Sequence, residues 1–174
     1  MIRLAKKEDI NEILEVAKAA QKFLKAGGSS QWQDGYPGPN DFLEDIKNGD
    51  LYVCEETEKI VGIVALVRAK DENYDEIYSG SWLNDETYYS VHRLAVLRHG
   101  KGIASRMLEF VEGIAFQEGI KNLRADTTEE NKIMQHLLEK FGYQKCGVVF
   151  LKRSEEKNKR IAYQKLLKIP PKIT

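Results

Sequence analysis

The chain has 174 residues, a length that fits one domain over 1–174 and buries roughly two-thirds of its unfolded surface. Hydrophobic residues make up 42% and charged residues 31%, which excludes a disordered polymer and reads as a soluble globular chain. Lys and Arg total 27 against 27 Asp and Glu, so the basic excess that drives polyanion binding is missing and nucleic acid is not expected as a partner.

Ile2 to Ala5 reads as a short strand. Asp9 followed by Glu12 looks like a capping box, and Ile10, Ile13, Leu14, Ala17, Ala20 and Leu24 then hold a helical stripe until Gly27-Gly28. Gln31 to Pro39 carries Trp32, Tyr36 and Pro37 and reads as an aromatic-bearing loop. Asn40 is the expected cap of a short helix with Phe42, Leu43 and Ile46. Leu51–Cys54 and Ile60–Val67 form a hairpin, the second strand apolar enough to be central and covered on both faces. A polar, aromatic stretch, Asp71 to Glu86, leads into a long strand over Tyr88–Val96. Ile103, Met107, Val111 and Ile114 mark the next helix, which Gly119 ends. Leu123–Asp126 is a short strand, Thr128 the expected cap of a helix through Phe141, and Val148–Lys152 with Ile161–Leu167 a closing hairpin. The order is β-α-α-β-β-β-α-β-α-β-β: a mixed α/β sheet of about seven strands, with one βαβ crossover and about four helices on both faces.

Cys54 and Cys146 are too few and too isolated for a disulfide framework or a metal site, so they read as small buried hydrophobes of a reducing, cytoplasmic compartment. The first residues lack a signal-peptide core, and no apolar run is long enough to span a membrane, so no membrane association is expected.

The chemistry-bearing stretch runs from Tyr89 to Ser105. A strand enters a short loop with Gly100 and Gly102, and the loop opens a helix. Glycine lets the backbone turn tightly and approach a ligand, and free N–H groups at the helix start favour a phosphate or pyrophosphate. An ordinary strand-to-helix turn would use the same glycines. A P-loop is excluded by spacing and by the missing hydroxyl. A dinucleotide fingerprint is nearly filled by Gly100, Gly102 and Ser105, with Asp126 at the ribose position, but that fold starts with this unit and continues in parallel.

Leu94-Ala95-Val96 and His99-Gly100-Lys101-Gly102-Ile103-Ala104 resemble the acyl-CoA motif of GNAT N-acetyltransferases, Leu-x-Val followed by Arg/Gln-x-x-Gly-x-Gly/Ala. Asn131 to Tyr143 resembles the family's next motif, a helix with an early asparagine and a terminal Gly-Phe/Tyr. The element order fits over about 2–167. The resemblance implies a GNAT-like fold and transfer of an acetyl group from acetyl-CoA, as co-substrate, to a primary amine of a small molecule or peptide in a ternary complex, without a metal. It implies that Leu94 offers its amide to the thioester carbonyl, that Val96 bonds the pantetheine, that His99–Ala104 wraps the pyrophosphate and that Asn131 faces the pantetheine arm. It also implies that the strands at 88–96 and 123–126 splay to admit that arm. A homodimer is a candidate assembly.

Three departures stand out. His99 replaces the usual Arg or Gln, the loop before it is about two residues short, and Leu138 occupies the position where many relatives carry a tyrosine general acid. A non-catalytic acyl-CoA-binding module is therefore the alternative from another class, and a dinucleotide-dependent oxidoreductase a second.

The amine must lose a proton. His92, two residues before Leu94, shares its strand face by alternation and titrates in the right range, although a structural, hydrogen-bonded histidine fits as well. Glu86, Tyr88 and Tyr89 are further candidates at the strand's entry, and Tyr143 could supply a phenol. Trp32 and Tyr36 suit an apolar or cationic acceptor, or simply anchor their loop; Trp82 has the same ambiguity. Lys152, Arg153, Lys157, Lys159 and Arg160 read as a solvated hairpin tip.

Overall fold

The computed structural model describes residues 1–153 and 158–168. The strands are β1 (Ile2–Leu4), β2 (Leu51–Glu56), β3 (Lys59–Val67), β4 (Tyr88–Val96), β5 (Asn122–Thr127), β6 (Gln144–Phe150) and β7 (Lys159–Leu166). The helices are α1 (Ile10–Ala26), α2 (Pro39–Asn48), α3 (Ile103–Gln117) and α4 (Lys132–Lys140), with short 3-10 turns at Lys7–Asp9 and Glu72–Tyr74. All seven strands form one sheet in the order β1-β2-β3-β4-β5-β7-β6. Among the described residues only β4 and β5 pair in parallel, across the α3 crossover. The closing hairpin folds back so that β7, not β6, lies against β5.

Alternation along β3 shows why its sequence is apolar throughout. Val64 and Leu66 pack with Met107, Leu108 and Val111 of α3, while Ile63 and Ala65 pack with Ile13, Val16 and Phe42 of α1 and α2. The sheet thus carries a core on each face, as expected of a central strand with no solvent side. Gly62 serves this packing: a Cβ there would lie 2.7 Å from the Met107 Sδ and 2.8 Å from the Ile103 Cγ2, so the start of α3 sits directly on the β3 backbone.

Several local expectations are corrected. Asp9 and Glu12 form no capping box. The Asp9 carboxylate accepts from Arg3 and from the Lys6 N–H, and the Glu12 carboxylate accepts from the Ile60 N–H at 2.8 Å. Helix α2 starts one residue before Asn40, with Pro39 as its first residue and the Gly38 N–H donating to the Asp41 carboxylate. The cap of α4 is Asn131 rather than Thr128; its Oδ1 accepts from the Met134 N–H at 3.1 Å. Strand β6 begins at Gln144, four residues before the expected Val148. Among the described residues no helix is long and apolar enough to cross a membrane.

Candidate active site

A β-bulge in β4 organises the site. Ile63 pairs with Ala95 and Ala65 pairs with His92, so Val64 faces both Arg93 and Leu94. Arg93 takes a left-handed backbone, φ 52°, which non-glycine residues rarely adopt. Its guanidinium is held by burial against two partners: Nε and Nη2 donate to the Asp45 carboxylate of α2 at 2.6 and 2.7 Å, and Nη1 donates to the Tyr36 hydroxyl. The bulge shifts the alternation. Val91, Leu94 and Val96 pack toward α3 and α4, whereas Ala95 packs toward α1. His92 falls with Tyr88 and Tyr74 on the side away from Leu94, so the expected sharing of one strand face does not hold.

Register between β4 and β5 stops at Ser90 and Arg124. Beyond that point the strands part, and a cavity of about 460 Å³ opens between them. Leu94, Ala95, Val96, His99, Ala104 and Asn131 line it, as do Met134, Leu137 and Leu138 of α4. Trp32 and Tyr36 line the other half, with His92, Asp71, Asp126, Arg153 and Arg160.

At the cavity's α3 end, Gly100 and Gly102 have φ of 78° and 70°, and a Cβ on either would meet nothing within 4 Å. Helix α3 starts at Ile103 with Gly102 as its cap, no side-chain cap bond and no acidic residue in its first turn. Its leading N–H groups and positive dipole end therefore suit an anion. His99 stacks on Phe23 of α1, ring centroids 3.8 Å apart, and burial lowers its pKa from the ordinary imidazole value. Asn131 reaches across to the loop after α1, its Nδ2 donating to the Gln31 Oε1 at 3.0 Å.

In the other half, the His92 Nε2 lies 2.9 Å from the Asp71 Oδ2. Burial opposes ionisation of Asp71, but the bonds from His92 and from the Asn73 N–H and side chain outweigh it and hold the carboxyl below its ordinary range. Asp126 accepts from the Tyr74 hydroxyl at 2.6 Å and faces Arg160 at 3.8 Å, so the acid that a dinucleotide site would place on a ribose is engaged inside the cleft.

The remaining candidates lie elsewhere. Glu86 is exposed and accepts from the Asn122 side chain. Tyr88 is buried beneath the Arg124 guanidinium, which Trp82 covers from its other side, at 4.0 and 4.1 Å from the two rings. Tyr89 packs against the α3 side of the core. Tyr143 is buried in the core, and burial raises its phenol pKa far above the ordinary value. Of the basic cluster, Lys152, Arg153 and Lys159 are exposed, Arg153 also lying over the Tyr36 ring at 3.6 Å, but Arg160 is buried in the cleft, so a solvated tip does not describe it; Lys157 falls outside the described residues. Sequence reasoning missed Arg93 and Asp71, which a bulge and a folded-back polar stretch bring in, and singled out Asp126 only as the acid of a dinucleotide site. Among the described residues no cluster of three or more His, Cys, Asp or Glu is placed to hold a metal ion.

The split parallel strand pair and the glycine-capped helix start together offer an elongated gap with an anion-binding end. Residues 16–143 match the acetyltransferase (GNAT) family, and the chain belongs to that family. It is similar to the GNAT-family acetyltransferase of Streptococcus agalactiae 2603, with 36% identity over 97% of this chain and 96% of that one and a TM-score of 0.84. An acetyltransferase of Staphylococcus aureus Mu50 is 31% identical over 97% and 99%, with a TM-score of 0.74. The PaiA N-acetyltransferase of Thermoplasma acidophilum, solved with coenzyme A, shares the fold at a TM-score of 0.69 and 19% identity over 95% and 98%. No curated protein matches the chain. The protein is thus an acyltransferase with the GNAT fold, built from one mixed seven-stranded sheet and four helices.

Proposed function

We propose that the protein moves an acetyl group from acetyl-CoA to a primary amine by direct attack, with His92 as the base that deprotonates the amine. The observation that carries this reading is the cavity itself: it runs from His99 and Ala104, which flank the glycine loop, along the opened edge of β4 to a polar half that contains His92. The residues fit the donor. The loop from His99 to Ala104 would hold the pyrophosphate, the open side of Gly100 and Gly102 leaves room for it, and Leu94, Val96 and Asn131 would line the pantetheine arm. Acetyl-CoA supplies an activated thioester.

The chain's residues supply the rest. The backbone of β4 past Ser90 has no register partner in β5, so amides on that side would be free to meet the donor and polarise its carbonyl. Trp32 and Tyr36 wall the acceptor half. His92 takes one proton from the ammonium and passes it to water. The amine's second proton goes to the departing sulfur, so turnover releases one proton. Leu138 is buried in the wall and carries no proton, and Tyr143 is shut away in the core. The thiol's pKa lies near 8 to 9, so it can leave without a protein acid.

The test uses acetyl-CoA with a panel of primary amines: spermidine, tyramine, L-lysine and a short peptide with a free N-terminus. His92→Ala should lower kcat about a hundredfold on the amine that is turned over, with CoA affinity unchanged. A well-folded His92→Ala protein with normal kcat would refute the base assignment.

A further inference from the structure

The polar stretch from Asp71 to Glu86 packs over β4, β6 and β7 and carries one side chain into hydrogen-bond contact with His92. That side chain, Asp71, is held from three directions. Its Oδ1 accepts from both the Asn73 N–H and the Asn73 Nδ2 at 2.9 Å. Its backbone N–H donates to the Tyr88 hydroxyl at 3.2 Å. Its Oδ2 is left for the His92 Nε2. Both side chains are mostly buried, 14% and 19% exposed, and both line the cavity.

Resting on the reading of His92 as base, we propose that Asp71 is its positioning residue: the carboxylate accepts the Nε2 proton, fixes the ring's tautomer and orientation, and leaves Nδ1 as the nitrogen that takes the proton from the acceptor amine. An ionised carboxylate only accepts hydrogen bonds, so the shared proton belongs to Nε2 and the lone pair to Nδ1. When Nδ1 takes the amine's proton, the ring becomes an imidazolium beside a carboxylate, and no new net charge is buried. The same logic of a base oriented by a third group governs acyl transfer on other folds.

The other charged groups around His92 are already engaged. Arg93 is paired with Asp45 on the α2 side, and Asp126 of β5 faces Arg160 of β7 and accepts from Tyr74, whose ring stacks with His92 at 5.9 Å. Lys70 is paired with Asp75 and exposed, and Glu72 lies at the cavity rim. Asp71 is the carboxylate in direct contact with the ring.

The chain has three histidines, which makes direct titration by imidazole 15N NMR tractable, with His92→Gln identifying the resonance. Asp71→Asn is isosteric and keeps an oxygen for the Asn73 N–H. In the wild type the neutral His92 ring should carry its proton on Nε2. In Asp71→Asn the preference of the neutral ring for a proton on Nε2 should be lost. On the same amine panel kcat should be about tenfold lower. An unchanged His92 tautomer in a folded Asp71→Asn protein overturns the proposal while leaving the base assignment standing. A lost tautomer preference with an unmoved kcat also overturns it, because the pair then has no part in turnover. Normal kcat in His92→Ala removes the base assignment and this proposal with it.

Discussion

Arg93 links three parts of the site through one side chain. Its backbone makes the bulge, its guanidinium pairs with Asp45, and its Nη1 fixes Tyr36 in the acceptor wall. The pair is nearly out of solvent, 13% and 8% exposed, so neither charge can be removed alone without leaving the other stranded. Arg93→Ala should cost about 3–5 kcal/mol in urea unfolding and lower kcat as well. Arg93→Lys should recover little, because an ammonium cannot make the bidentate contact. Replacing both partners by apolar residues, Arg93→Met with Asp45→Leu, should restore much of the stability yet not the turnover, since Tyr36 stays unfixed. Wild-type stability in Arg93→Ala would show that the bulge holds itself. Nothing in the sequence marked this arginine. It stands inside a run of β-formers, and a bulge leaves no pattern there that alternation can detect.

The loop between β4 and α3 was legible because glycine spacing at a strand-to-helix boundary has few physical causes. The structure supplies the left-handed backbone at Gly100 and Gly102 and the open space beside them. Helix starts were less legible. Asp, Asn and Thr all make good caps, and a sequence with Asn40, Thr128 and Asn131 offers more caps than helices can use. Competition decided: Asp9 is claimed by Arg3 and Lys6, and Asn131 lies nearer than Thr128 to the first turn of α4. For the glycine loop the outcome depends on which atom is added. Gly102→Ala meets no neighbour but must adopt a positive φ, so it should lose about 1 kcal/mol of stability and keep most CoA affinity. Gly102→Glu adds the same strain and sets a carboxylate where the pyrophosphate would lie, so CoA binding should vanish in isothermal titration. Equal CoA affinity in the two variants would rule out this loop as the phosphate site.

The whole molecule is a sheet divided at one seam. The core under α3 and α4 runs from β2 and β3 across the seam to β5 and β7, and the cavity lies where pairing between β4 and β5 ends. The strand order along the chain could be read from apolar runs and turns, but the insertion of β7 between β5 and β6 could not, because hairpin strands of similar composition do not announce which one faces the sheet. Around the opened seam α1 and the segment after it reach three other parts of the chain: Phe23 of α1 stacks on His99, Gln31 accepts from Asn131, and Tyr36 lies under Arg153. A donor seated in the cavity would contact both sides of the seam and so stabilise the folded state as a whole. Binding to the native state alone adds RT ln(1 + [L]/Kd), about 2.7 kcal/mol at a hundredfold excess over Kd. In a chain of this size each kcal/mol moves the midpoint by roughly 2–4 °C, so CoA should raise Tm by roughly 5–10 °C at that excess. NAD carries a pyrophosphate but no pantetheine arm for the gap beside Leu94, Val96 and Leu138, so it should shift Tm little at the same concentration. An equal shift with both ligands would mean that the glycine loop alone does the binding and that the split between β4 and β5 contributes nothing to it.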